Sequence, residues 1–197
     1  MNRSITRIGL LLGLALLTLP LAAQDFGAAG ALARDTMSVE EMLVYALQDE
    51  YLARAEYELI LEEWGIQRPF ANIIRSEERH IAALLPLFDR YAVAVPEDTA
   101  AQHVIMPASR KEAFEIGIHA EKENIAMYAA FLEANELPRD VQNVFSALLR
   151  GSENHLRAFE QGLAAETGDS DGARGPARRP PSDGADHRFG SGRSGSK

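Results

Sequence analysis

Residues 77–84, Glu77-Glu78-Arg79-His80-Ile81-Ala82-Ala83-Leu84, align with residues 152–159, Ser152-Glu153-Asn154-His155-Leu156-Arg157-Ala158-Phe159. In both, a polar residue stands three positions before a histidine, and a large apolar residue four positions after it. Side chains at those spacings share one face of an α-helix. Working outward, the same face stays apolar: Phe70 and Ile73 precede Glu77, and Leu84, Leu87 and Tyr91 follow His80. Val141, Val144 and Leu148 precede Ser152, and Phe159 and Leu163 follow His155. Each stretch reads as a long helix whose buried stripe is broken midway by polar groups.

Two further stripes behave alike. Leu43, Ala46, Leu47, Ala53, Tyr57, Ile60, Leu61 and Trp64 flank Glu50, and Phe114, Ile118, Ile125, Tyr128 and Leu132 flank Glu121. Glu50 and Tyr57 are seven apart, as are Glu121 and Tyr128. The chain thus contains two diverged copies of a helical hairpin.

Local signals set the ends. Ser38 with Glu41, and Ser109 with Glu112, are capping-box pairs. Gly65 suits a left-handed helix end, and Pro69 and Pro138 suit a first turn. The expected helices are 39–64, 69–91, 110–134 and 138–165, with no strand. Pro86 is expected to kink the second or end it early. The first two and the last two helices are joined by short loops, so each pair is an antiparallel hairpin. Residues 92–109 are long enough to cross the length of a bundle. The expected fold is all-α: a four-helix bundle of two antiparallel hairpins joined by a long crossover.

Charge is unevenly spread along the 197 residues. Of 29 acidic and 20 basic side chains, residues 1–23 hold no acid and two arginines, and residues 167–197 hold four acids and six bases. The remainder, 25 acids against 12 bases, suits cations and argues against nucleic acid as a partner. There is no cysteine, which excludes disulfides, thiol nucleophiles and cysteine-based metal sites. Arg3 and Arg7, the apolar run Ile8 to Ala23 and the small residues Leu21-Ala22-Ala23 before Gln24 read as a signal peptide over 1–23. The mature chain is then periplasmic or extracellular, with no membrane association after cleavage. Residues 24–37 read as a linker, 38–166 as the bundle, and 167–197 as a disordered tail rich in Gly, Pro, Ser and Arg.

The interruptions in the stripes define a candidate site. Glu50, Glu77, His80, Glu121 and His155 all point inward and all lie near the middle of their helices. At about 1.5 Å rise per residue they share one level of the bundle. Three buried carboxylates in one layer repel each other unless a positive charge compensates them. A metal ion supplies that charge, and the imidazoles complete a mixed nitrogen and oxygen sphere. Ser152 stands in the same layer. Arg54 is expected to pair with Glu50 or Glu77, or else to form a surface ion pair on the flank of the first helix. Tyr57 and Tyr128 are read as packing residues with a hydroxyl partner near the site, or as redox-active neighbours of it. Asp49, Glu56 and Glu123 read as part of a solvated face.

At these residues the chain resembles the ferritin-like superfamily, with Glu on the first and third helices and Glu-x-x-His on the second and fourth. Glu50-Tyr51-Leu52-Ala53-Arg54-Ala55-Glu56-Tyr57 resembles the first-helix motif of rubrerythrins. The nearer likeness is to an exported bacterial and archaeal family of ferritin-like domains of unknown function, whose last-helix motif is similar to residues 150–157. The resemblance covers about residues 38–165. It implies a non-haem site of one or two iron or manganese ions held by Glu50, Glu77, His80, Glu121 and His155, with Arg54, Tyr57, Tyr128 and Ser152 around it. It also implies an oxidoreductase acting on dioxygen, peroxide or Fe(II). The alternative is a non-enzymatic bundle that sequesters metal or serves as an interaction scaffold, with a degenerate site in which the Glu–His pairs hydrogen-bond each other without metal and Ser152 marks the loss. Ser152 departs from the superfamily pattern, where a glutamate would stand. The expected consequence is asymmetry, with one ion well held beside Glu77 and His80 and a weaker position near His155.

Overall fold

The computed structural model describes residues 25–134 and 136–168. The proposed signal peptide and nearly all of the proposed tail lie outside the described residues. The elements are α1 (Gly27–Leu32), α2 (Val39–Trp64), α3 (Phe70–Tyr91), a 3-10 turn (Ala100–Gln102), α4 (Arg110–Leu132) and α5 (Arg139–Thr167), and no strand occurs among the described residues. The four long helices match the expected ranges to within two residues at each end, the usual scatter of helix boundaries. No helix among the described residues is long and apolar enough to cross a membrane.

The caps form as the residues dictate. Ser38 Oγ accepts from the Glu41 N–H at 3.2 Å while the Glu41 carboxylate accepts from the Ser38 N–H at 2.8 Å. Ser109 Oγ accepts from the Glu112 N–H at 3.1 Å, but the Glu112 carboxylate accepts from the Ala108 N–H at 2.6 Å rather than from Ser109, so the second expected box closes on one side only. Gly65 ends α2 at φ 62°, the left-handed region that glycine enters without a Cβ penalty. Pro86 does not end α3, which continues to Tyr91. Pro86 and Ala82, whose carbonyl loses its helical partner, both face solvent, so water can satisfy the freed oxygen.

α2 packs chiefly on α3, and α4 on α5. Tyr91 at the end of α3 donates to Asp140 at the start of α5 at 2.8 Å. Arg110 at the start of α4 reaches the Trp64 carbonyl at the end of α2 (3.1 Å) and Glu166 at the end of α5 (3.0 Å). α3 therefore finishes at one end of the bundle and α4 begins at the other, so residues 92–109 traverse its length. Arg54 on α2 pins this crossover through Asp98 at 2.5 Å.

The segment read as a linker contains α1. This short helix packs on α2 and α4. The Phe26 ring stacks on His103 of the crossover, with centroids 4.1 Å apart, and the Ala28 N–H donates to Asp49 at 2.7 Å.

The apolar core is divided in two. One cluster includes Leu43, Leu47, Leu84, Phe88, Phe131 and Phe145. The other includes Tyr57, Ile60, Phe70, Ile73, Phe114 and Phe159. Along every long helix a polar layer separates them.

Candidate metal centre

The layer holds Glu50 from α2, Glu77 and His80 from α3, Glu121 from α4, and Ser152 and His155 from α5. All are removed from water: Glu50 is 1% exposed, Glu77 2%, Glu121 3%, His155 7% and His80 8%. A helix turns about 100° per residue, so Glu77 and His80, three apart, both face the axis. Glu121 and His155 reach the same space from the opposite pair of helices.

Glu77 is the hub. Its Oε2 lies 2.8 Å from His80 Nδ1 and its Oε1 lies 3.0 Å from His155 Nδ1. His80 Nδ1 also donates to Glu50 Oε2 at 3.0 Å, and His155 Nδ1 lies 3.4 Å from Glu121 Oε1. The two imidazoles stack, with centroids 5.4 Å apart. Ligand atoms of Glu77, His80 and His155 all fall within 4.8 Å of one another. Glu77 thus carries one imidazole on each oxygen. The two hairpins share it, rather than leaving it to the His80 side as the sequence suggested.

Tyrosines complete the layer crosswise. Tyr57 of α2 donates to Glu121 Oε1 at 2.8 Å, and Tyr128 of α4 donates to Glu50 Oε1 at 2.6 Å. Each ring is fully buried, Tyr57 against Phe70 and Phe159 and Tyr128 against Phe131 and Phe145. Each hairpin therefore orients the other's carboxylate, and the internal repeat of the sequence appears as a quasi-twofold contact. Burial pushes both phenols well up from their usual values, which keeps them as donors.

The electrostatics record a crowded layer. Burial raises Glu50 to about 8 and Glu121 to about 7. Burial also acts to raise Glu77, but His155 and His80 outweigh it and hold the carboxyl at about 2. Burial would lower both imidazoles, yet the neighbouring carboxylates raise His80 to about 10 and His155 to about 9. Without a metal ion, protons on the imidazoles and on one or more outer carboxyls supply the compensating charge.

That compensation is incomplete. Glu77 Oε1 and His155 Nδ1 are buried and 3.0 Å apart, yet neither makes an aligned hydrogen bond. A buried polar atom left so costs roughly 1–3 kcal/mol. Carboxylate oxygens and imidazole nitrogens bind a transition-metal ion at about 2.0–2.2 Å, which places ligands of one ion at most about 4.4 Å apart. The contacts of 2.8, 3.0 and 3.4 Å already lie inside that span. The donor set therefore fits a cation.

His80 is seated by a glycine. A Cβ at Gly151 would meet His80 Cε1 and Nε2 at 2.6 Å, closer than such atoms approach. Gly151→Ala is expected to push the ring off Glu50 and Glu77 and to weaken metal binding about 10–100-fold, the usual cost of disturbing the support of a ligand. Competition with a chromogenic chelator measures it, and unchanged affinity would show that the ring moves freely.

Other sequence expectations fall elsewhere. Arg54 does not approach Glu50 or Glu77. It pairs with Asp98 and lies over the Tyr51 ring at 5.5 Å, on the outer flank of α2. Asp49, read as solvated, is buried and accepts from the Ala28 N–H and from the Asn124 amide. Glu56, on the same side, is part-buried. Asn124 was missed. On α4 the buried series is Phe114, Gly117, Glu121, Asn124, Tyr128 and Phe131, an unbroken three-four alternation. Following Ile118 and Ile125, which are only part-buried, concealed it. Ser152 is buried in the layer, but its hydroxyl is directed to Asn124 and to the Leu148 carbonyl.

The family model described as an uncharacterized protein domain, DUF2202, matches residues 39–171, which includes all four long helices. The chain is 27% identical over 135 residues to the uncharacterized protein MJ0754 of Methanocaldococcus jannaschii, covering 61% of this chain and 72% of that protein. The crystal structure of hypothetical protein MJ0754 from the same organism superimposes with a TM-score of 0.59 at 26% identity, over 68% of this chain and 85% of the other.

Proposed function

We propose that this chain, which belongs to the DUF2202 family, is an exported ferritin-like protein that holds iron or manganese in its carboxylate–imidazole layer. The ligands are Glu50, Glu77, His80, Glu121 and His155. The observation that carries the reading is the pair Glu77 Oε1 and His155 Nδ1, buried, 3.0 Å apart and without an aligned hydrogen bond. Such atoms are explained by a cation that takes both lone pairs. The ferritin-like assignment is supported by the up-down hairpins, the lengthwise crossover and the Glu and Glu-x-x-His placement. The apolar run before Gln24 supports export.

When bound, iron or manganese supplies redox chemistry toward dioxygen, peroxide or Fe(II). The chain's own residues do the rest. Tyr57 and Tyr128 orient Glu121 and Glu50, Gly151 leaves room for His80, and the two apolar clusters exclude bulk water. Elemental analysis of the purified chain is expected to give one to two iron or manganese ions per molecule. A chain that retains no metal from a medium rich in both would sink the proposal.

Ser152 favours a second reading, in which the site stores metal without turnover. It offers no carboxylate, and its hydroxyl is committed to Asn124. Oxygen uptake on adding Fe(II) separates the two: sustained consumption supports the oxidoreductase, and stoichiometric binding without consumption supports the storage bundle.

A further inference from the structure

Beside the layer runs a second polar line. The Ala28 N–H donates to Asp49 Oδ1 at 2.7 Å, and the Asn124 amide donates to Asp49 Oδ2. Ser152 Oγ donates to Asn124 Oδ1, with the Leu148 carbonyl as its other acceptor at 3.1 Å. Asp49, Asn124 and Ser152 are all buried. Each stands within one helical turn of a layer residue: Asp49 adjoins Glu50, Asn124 follows Glu121 by three, and Ser152 precedes His155 by three.

Packing alone does not account for this line. Burying Asp49 is costly, and among the described residues no cation pairs with it. Apolar residues of similar volume would hold three helices together at least as well. Hydrogen bonds add what apolar contacts lack, a fixed separation and a fixed rotation. Ala28 can only donate, so Asp49 receives on both oxygens, and the one Ser152 proton lies between Asn124 Oδ1 and the Leu148 carbonyl. The glutamate that the repeat would place at 152 is replaced by the end of this line, and a carboxylate there would confront the Asp49–Asn124 pair.

We propose that Asp49, Asn124 and Ser152 are positioning residues, a buried hydrogen-bond chain that sets the register of α2, α4 and α5 and thereby aims Glu50, Glu121 and His155 in place of a fourth carboxylate. Its effect on metal rests on the reading above; the positioning itself does not.

A charge swap tests it. In Asp49→Asn the new amide meets the Asn124 amide, so Asn124 must turn over and donate to Ser152 Oγ, which then donates to the Leu148 carbonyl, whereas in Asn124→Asp two acids face each other. In the double variant Asn at 49 accepts from Ala28 and donates to Asp at 124, which accepts from Ser152, so every bond is restored. Co(II) titration of the full chain is expected to show Asn124→Asp about 10–100-fold weaker, with shifted visible bands, and Asp49→Asn less affected. The double variant recovers most of the affinity and the natural spectrum. Where a single variant does not fold, Ser152→Ala removes only the last link and is expected to shift the bands in the same sense. The proposal is overturned if the variants change melting temperature but not the affinity or bands, or if the swap remains as weak as the weaker single variant. If the natural chain binds no Co(II), the metal reading fails alone. Positioning is then read from the imidazole nitrogen NMR shifts of His155 in the metal-free protein. The single variants are expected to move these shifts and the swap to return them, and shifts that do not move overturn it.

Discussion

Glu77→Ala is expected to abolish tight metal binding, lowering affinity by more than the roughly 100-fold that loss of a mere supporting group produces. Among the described residues, Glu77 alone touches both imidazoles, at 2.8 and 3.0 Å. Removing Glu50 or Glu121 takes one contact from one histidine, because each lies beside a single imidazole. Removing Glu77 takes a contact from both and leaves His80 and His155 facing an empty centre. The order of loss is therefore Glu77 first, then Glu50 and Glu121 together at a smaller cost. Glu77→Gln is the sharper control, since it keeps the volume and one oxygen but not the charge. Metal per chain after dialysis measures all four. Equal losses for the three alanine variants would show that no carboxylate is shared between the histidines.

The long helices were legible because their signals are local. Capping boxes at Ser38 and Ser109, the glycine after Trp64, and apolar residues at three-four spacing are properties of neighbours in sequence. Glu50, Glu77, His80, Glu121 and His155 were legible for the same reason, as polar breaks at matching heights in four stripes. What was missed depends on partners distant in sequence. The six-residue α1 has a composition of Gly, Ala and Leu and too few turns to be stable alone. Asp49, twenty-one residues on, holds it. Arg54 has the reach to pair inward or outward, and only the course of the crossover brings Asp98 to it. On α5 the buried position is Phe145 rather than the neighbouring Val144, and on α4 Asn124 rather than Ile125. In each pair the two residues are one position apart, and hydrophobicity does not choose between the two faces. Only the three-four alternation does.

The metal-free chain is expected to be most stable near pH 4 and to lose stability steadily toward pH 9, with bound metal reversing that slope. The sign follows group by group. Glu50 and Glu121 have folded values of about 8 and 7, raised by burial above the ordinary carboxyl value near 4.5. A raised group contributes in full below its unfolded value, so their contribution is lost between pH 4.5 and 8. Asp49, raised by burial from 3.8 to about 6, loses its contribution as pH rises between those values. His80 and His155, raised to about 10 and 9 by the carboxylates that outweigh their burial, lose theirs from pH 6.5 upward. Only Glu77 runs the other way. Held at about 2 by the imidazoles against the effect of burial, it contributes above pH 4.5 and is lost on acidification toward 2. Five groups therefore favour the acidic side and one limits it. A bound ion takes the place of the protons, so it is held more tightly as pH rises and supplies the missing charge where the metal-free layer is weakest. Denaturant midpoints at pH 5, 7 and 9, with chelator and with saturating Mn(II), measure the effect. A metal-free chain more stable at pH 9 than at pH 5 would mean that the layer does not rely on protons for its compensating charge, and would remove the electrostatic reason for an ion there.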